Sequence, residues 1–241
     1  MYNVLYALTL VRRLAGMARA TARRPQAVLF DVFETLVRLE PLRARFTEAG
    51  RPGHELELFF ARTLRDGMAY TLAGEAPPFR QVAAAELATT SGHTLTEEQI
   101  EHILDGFATL PLYPEAVTAF DLLRDAGIPA YGFTHGSAKV LESILDREGL
   151  ADRVVRVLST ERIRSFKPPA AVYHWACEQA GSAPDATALV AVHSWDVHGA
   201  VKAGLLAGFG TRLEGALPPV VEQPHVQAER VDQVVTGLLE L

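Results

Sequence analysis

Four short apolar runs, at residues 27–31, 128–134, 154–158 and 188–193, alternate with stretches of helical patterning. Runs of this length without polar alternation read as strands buried on both faces, which is the pattern of a parallel sheet. Helices are expected at residues 115–125, 138–147, 170–179 and 197–207, with Gly127 and Gly149 closing the first two and a final helix over residues 230–241. Strands and helices in this order build right-handed βαβ units. The expected fold class is therefore α/β, with a Rossmann-like parallel-sheet core.

Residues 42–107 do not share the alternation and are patterned as helix throughout. Thr96 to Gln99 has the form of a capping box, and Ile100, Ile103, Leu104 and Phe107 follow at helical spacing. This stretch lies after the first strand, so it is expected to be a helical insertion. The division expected is an extension at 1–25, a core at 26–40 and 113–241, and a cap at 41–112 over the C-terminal edge of the sheet. Sites in such folds lie at that edge.

Net charge bounds the partners. The chain carries −6 overall, but residues 1–25 hold Arg12, Arg13, Arg19, Arg23 and Arg24 without an acid, so the remainder carries −11. An acidic body argues against a nucleic-acid partner. The apolar run at residues 4–11 is too short to span a membrane, and its arginines follow it instead of preceding it as in a secretory signal. It is read as a loosely attached extension, with Met17 an alternative start. The single cysteine, Cys177, has no internal disulfide partner; a small buried residue in a reducing cytoplasm fits it.

Four polar clusters stand at or near predicted strand ends. Asp31 closes the first run, followed by Phe33, Glu34 and Thr35. Thr134, His135 and Ser137 form a polar turn that opens a helix. Lys167 precedes two prolines, and His193 and Asp196 follow the last run. Each alone has a plain structural explanation, since acids and hydroxyls cap helices and a lone lysine is usually solvated. In this order, they make one pattern: strand–Asp–x–x–x–Thr, strand–Thr, Lys–Pro, strand–x–x–Asp.

That pattern resembles the haloacid dehalogenase (HAD) superfamily, over about residues 27–241. Glu34, Thr35 and Leu36, the stretch from Phe59 to Gly67, Lys167 and Pro168 with Tyr173 beyond, and Ala191, His193, Trp195 and Asp196 resemble its type II (S)-2-haloacid dehalogenase branch. The resemblance implies a metal-independent hydrolase without cofactor, acting on a small 2-haloacid. Asp31 would be the nucleophile, with Lys167 keeping it ionised. Thr35 and Thr134 would hydrogen-bond the nucleophile or the substrate, and Asp196 would pair with Lys167 and orient water. Tyr173, which matches the family's tyrosine, and Phe33 would contact the substrate. Arg62 or Arg65 would bind the substrate carboxylate, the family match favouring Arg62. Relatives are often dimers, so a homodimer is also implied.

Phe33 separates two chemistries. Phosphatases of the superfamily have an acid there to protonate an alkoxide, and they use Mg²⁺; halide leaves without a proton. A Mg²⁺-dependent phosphatase and a catalytically silent binding protein remain the competing readings. The sequence departs from the branch at His135 and His193, where the family has Asn, and at Ala191, where it has Ser. His135 is expected to donate to a leaving halide or to be structural, and His193 to serve as general base or be structural. Trp175 and Trp195 are expected to pack, and Glu34 to point away from the site.

Overall fold

The computed structural model describes residues 23–241; the apolar run at residues 4–11 and Met17 lie outside them. A six-stranded, all-parallel sheet is formed by β1 (Ala27–Phe30), β2 (Ala130–Thr134), β3 (Arg156–Ser159), β4 (Thr187–Ala191), β5 (Leu206–Gly210) and β6 (Val226–Ala228). Its order is β3-β2-β1-β4-β5-β6. Successive strands run one way from β1 to β3 and the other way from β4 to β6. The reversal falls beside β1, and the crevice at such a switch point is where open α/β sheets place ligands.

Side-chain alternation along β1 feeds two cores. Val28 and Phe30 pack with α5 (Pro114–Asp125), α6 (Ala138–Arg147) and α9 (Val231–Leu239); Phe30 meets Phe120 edge-on at 5.5 Å between ring centroids. Ala27 and Leu29 pack on the other face with α7 (Ala170–Ala180) and α8 (Ser194–Lys202), among Tyr173, Val197 and the buried Cys177. β1 is thus covered on both sides, which is why it reads as an unbroken apolar run.

Between β1 and α5 lie α1 (Arg43–Glu48), α2 (Glu55–Leu72), α3 (Phe79–Thr90) and α4 (Glu97–Asp105). The Thr96–Gln99 capping box starts α4 as expected. These helices share one continuous apolar cluster with the sheet, through Phe33, Phe60, Phe79 and Phe107. They also bond to the loop leading to Lys167. Phe166 N–H donates to Thr71 Oγ1 at 2.8 Å, Ala76 N–H to Arg164 O at 2.9 Å and Phe79 N–H to Glu161 Oε1 at 3.1 Å.

Two elements differ from expectation. The helix read at residues 197–207 begins at Ser194 and ends at Lys202, and its last residues belong to β5. Gly204, at φ +86°, reverses the chain between them; apolar residues on both sides of that turn made helix and strand indistinguishable by pattern. β6 was not expected. It is a half-exposed edge strand, defined by pairing with β5 more than by its own side chains. Among the described residues, no helix is long and apolar enough to cross a membrane.

Gly67 on α2 is a packing constraint. A Cβ there would stand 2.2 Å from the buried Phe166 ring. Gly67→Ala is expected to destabilise the fold by about 1–3 kcal/mol through overpacking, measured as a lower urea midpoint. An unchanged midpoint would show that the contact relaxes freely.

Candidate active site

The polar residues named from the sequence converge at the C-terminal ends of β1, β2 and β4. Asp31 leaves β1 directly. The turn behind it is closed by Leu36 N–H and Val37 N–H donating to Val32 O at 2.8 and 2.9 Å, which swings Thr35 back so that its hydroxyl donates to Asp31 Oδ2 at 2.7 Å. Lys167 comes from the loop after β3 and is fully buried. Its ammonium donates to Asp31 Oδ1 at 2.8 Å and Asp196 Oδ2 at 2.5 Å, with Phe133 O at 3.5 Å. Asp196, in the first turn of α8, is held on its other oxygen by the Tyr173 hydroxyl at 2.6 Å.

These pairings set the charges. Burial alone would raise Asp31, but the Lys167 ammonium and the hydrogen bond and charge of His193 outweigh it and hold its carboxyl far below the usual carboxylate range. Burial opposes a charge on Lys167, yet Asp196 and Asp31 raise it above an ordinary lysine. Asp196 is pushed up by burial against the pull of Lys167. An ionised acid in a nearly closed site persists only with such donors around it.

His193 differs from its expected role as a base. Its Nδ1 lies 3.1 Å from Asp31 Oδ2 and its Nε2 2.9 Å from Glu34 Oε2. Burial works against charge here, but hydrogen bonds to Asp31 and Glu34 raise the ring from 6.5 to about 10. At neutral pH it is an imidazolium with both N–H groups engaged, and it has no lone pair for a proton. The second of these partners, Glu34, points into the site and not away from it. Residue 34 sits at φ +65°, and this left-handed bend aims the side chain at His193. Arg212 fixes that bend by donating to Glu34 O at 2.5 Å and Thr35 O at 3.3 Å.

A small pocket, part of it open to solvent, lies over Asp31. Phe33, Thr134, His135 and His193 reach it from the strand ends, and Phe60, Leu64 and Phe79 from the helices above. Thr134 Oγ1 accepts Gly136 N–H at 3.1 Å, which ties down the turn before α6. Trp195, expected only to pack, lines the pocket and stacks on His193 with centroids 5.5 Å apart. His135 is buried against Phe166, rings 4.5 Å apart, and neither of its nitrogens has a hydrogen-bond partner. Burial first, then the charge of Lys167, holds it neutral, well below 6.5.

Three expected ligand contacts are not formed. Tyr173 stands behind Asp196 and does not line the pocket. Arg62 donates to Thr90 Oγ1 at 3.2 Å, and Arg65 pairs with Asp66 at 2.5 Å. Helical geometry explains both arginines. Phe60 and Leu64 face the pocket about 40° apart on α2, whereas Arg62 and Arg65 lie about 140–200° around from Phe60. Phe60 and Leu64 passed unnoticed in the sequence because apolar residues four apart on a helix look like any core face. Arg212 follows the end of β5, a position that the strand-end rule would have flagged had that strand been recognised.

A parallel sheet with its polar cluster at the switch point, and a helical insertion after its first strand, defines an α/β fold with a candidate site at its C-terminal edge. Residues 25–204 match the family model described as hydrolase, haloacid dehalogenase-like hydrolase, and the chain belongs to that family. Among curated relatives, (S)-2-haloacid dehalogenase 1 of Pseudomonas sp. (strain CBS-3) is 27% identical over 180 residues, 73% of this chain and 79% of the relative. (S)-2-haloacid dehalogenase 4A of Burkholderia cepacia is 26% identical over 185 residues, covering 74% and 80%. The fold is shared with L-2-haloacid dehalogenase from Xanthobacter autotrophicus, at TM-score 0.78 and 22% identity over 88% of this chain and 97% of that one.

Two outcomes test the charge network. Lys167→Met strips two buried acids of their cation and is expected to cost about 3–5 kcal/mol, read from denaturant unfolding. For His193, a folded value raised above the unfolded one means that its contribution is complete below pH 6.5 and is lost as pH rises through about 10. The urea midpoint should therefore fall between those pH values, and less steeply in Glu34→Gln. A midpoint flat in this range would mean that the ring is not charged.

Proposed function

We propose that the protein hydrolyses a carbon–halogen bond next to a carbonyl carbon, through an ester on Asp31, without a metal ion. The relatives' names make small 2-haloalkanoic acids the first substrates to consider. The observation that carries the reading is an acid kept ionised by Lys167, Thr35 and His193 beside Phe33, which has no proton to give. Halide leaves without protonation; an alkoxide does not.

The geometry distinguishes the two oxygens of Asp31. A carboxylate accepts about four hydrogen bonds, and side chains take two on Oδ2 and one on Oδ1. Oδ1 therefore keeps the free lone pair and attacks carbon as the halide departs with the bonding electrons. Oδ2 becomes the ester carbonyl oxygen. When water adds to Cγ, charge develops on Oδ2, where the Thr35 hydroxyl and the His193 imidazolium already donate, in the manner of an oxyanion hole. Collapse breaks the bond between Cγ and Oδ1, and Oδ1 leaves with the product as an alcohol, taking one proton of the water. The water oxygen stays on Cγ, the second proton is released and the Asp31 carboxylate is regenerated. Asp196, beside Lys167, is the remaining acid able to relay that proton. The helices of residues 41–112 act as the cap that shields these steps from bulk water.

Halide release from 2-chloropropionate or a related small halocarbonyl compound, followed by mass spectrometry of the Asp31 peptide after rapid quenching, tests this reading. Asp31→Asn is expected to abolish release, and the wild-type peptide to gain the mass of the substrate minus halide. Turnover retained in Asp31→Asn would rule the mechanism out.

A further inference from the structure

Binding an anion in a nearly buried site requires a cation or a set of free donors. The pocket offers no surplus positive charge among the described residues. The Lys167 ammonium is consumed by Asp31, Asp196 and Phe133 O. Both N–H groups of His193 are taken by Asp31 and Glu34. Whether or not Asp196 holds a proton, three carboxyl groups balance or exceed the two cations of this cluster. Arg62 and Arg65 lie on the far face of α2, and Phe60 and Leu64 occupy the face toward the pocket. The N-terminus of α6 supplies about half an elementary charge at most.

Against this, the pocket holds one polar side chain with nothing to bond. His135 is 6% exposed, lines the pocket and has no partner on either ring nitrogen. A neutral imidazole carries one donor and one acceptor, and leaving both unmet costs about 1–3 kcal/mol for each buried group. Besides Asp31 and His193, the rest of the wall is Thr134, whose Oγ1 already accepts Gly136 N–H, with Phe33, Phe60, Leu64, Phe79 and Trp195.

We propose that this pocket selects a small neutral halocarbonyl compound, such as a 2-haloamide, with its polar group on His135 and its apolar part against the aromatic wall, in preference to a 2-halocarboxylate anion. The inference rests on the carbon–halogen reading above and names its substrate class. A neutral carbonyl still activates the adjacent carbon for displacement by Asp31. It brings no charge that would have to be buried beside Asp31 and Asp196. An amide also presents both an acceptor and a donor, matching what His135 leaves open.

Bromide release by the full chain from 2-bromopropionamide and from 2-bromopropionate, measured side by side, provides the test, with adduct formation on Asp31 followed for each. The amide is expected to exceed the acid at least about tenfold in kcat/KM, a discrimination worth about 1.4 kcal/mol. Equal or faster turnover of the acid, with an adduct on Asp31, would overturn the neutral-substrate inference and leave the dehalogenation reading intact. No bromide and no adduct from either compound would overturn both.

Discussion

A single buried ammonium organises the polar cluster at the C-terminal edge of this sheet. Lys167 joins two acids, one following β1 and one in α8, and it does so from a loop after β3. Each contact alone would be a poor bargain, because desolvating charges costs several kcal/mol per ion. The arrangement persists because every group has several partners: Thr35 and His193 on Asp31, Tyr173 on Asp196. Removing one member would strand the others, so the cluster behaves as a unit.

A second layer of charge surrounds that unit. Asp31 and Glu34 together favour the charged form of His193, and Arg212 holds the left-handed bend that aims Glu34. Arg212 also lies over the Tyr113 ring, 3.7 Å from its centroid, and pairs with Glu115. The loop after Asp31 is thereby tied to the start of α5. The result is that two donors, the Thr35 hydroxyl and the His193 ring, converge on one oxygen of Asp31. The opposite wall is largely aromatic, with Phe60 and Phe79 from the inserted helices, so one side of the pocket is an ion cluster and the other is apolar.

Much of the site was legible from strand ends. Asp31, Thr35, Lys167 and Asp196 were identified because a parallel sheet brings its carboxyl ends together, and the structure brings those four into contact. Thr134 and His135 were found in the same way, and both reach the pocket. The cap arginines failed by a different logic. Proximity in sequence to a matching motif says nothing about which side of a helix a residue takes, and a shift of one or two positions turns it through more than a quarter of a turn. Glu34 was misread because its direction follows from a positive φ, which no side-chain pattern announces.

Taken alone, the amino-acid order determined the α/β class, the place of the helical insertion, and the acids, lysine and hydroxyls at the strand ends, because burial and hydrogen-bonding demands act locally along each element. Only the tertiary structure decided the charge on His193, the engagement of Glu34 and Arg212, and the absence of an arginine from the pocket wall among the described residues. Those properties depend on distances between groups far apart in the chain, such as the 2.9 Å between His193 and Glu34. Electrostatic energy is set by such separations and by the water excluded from them, and neither is written in the order of residues.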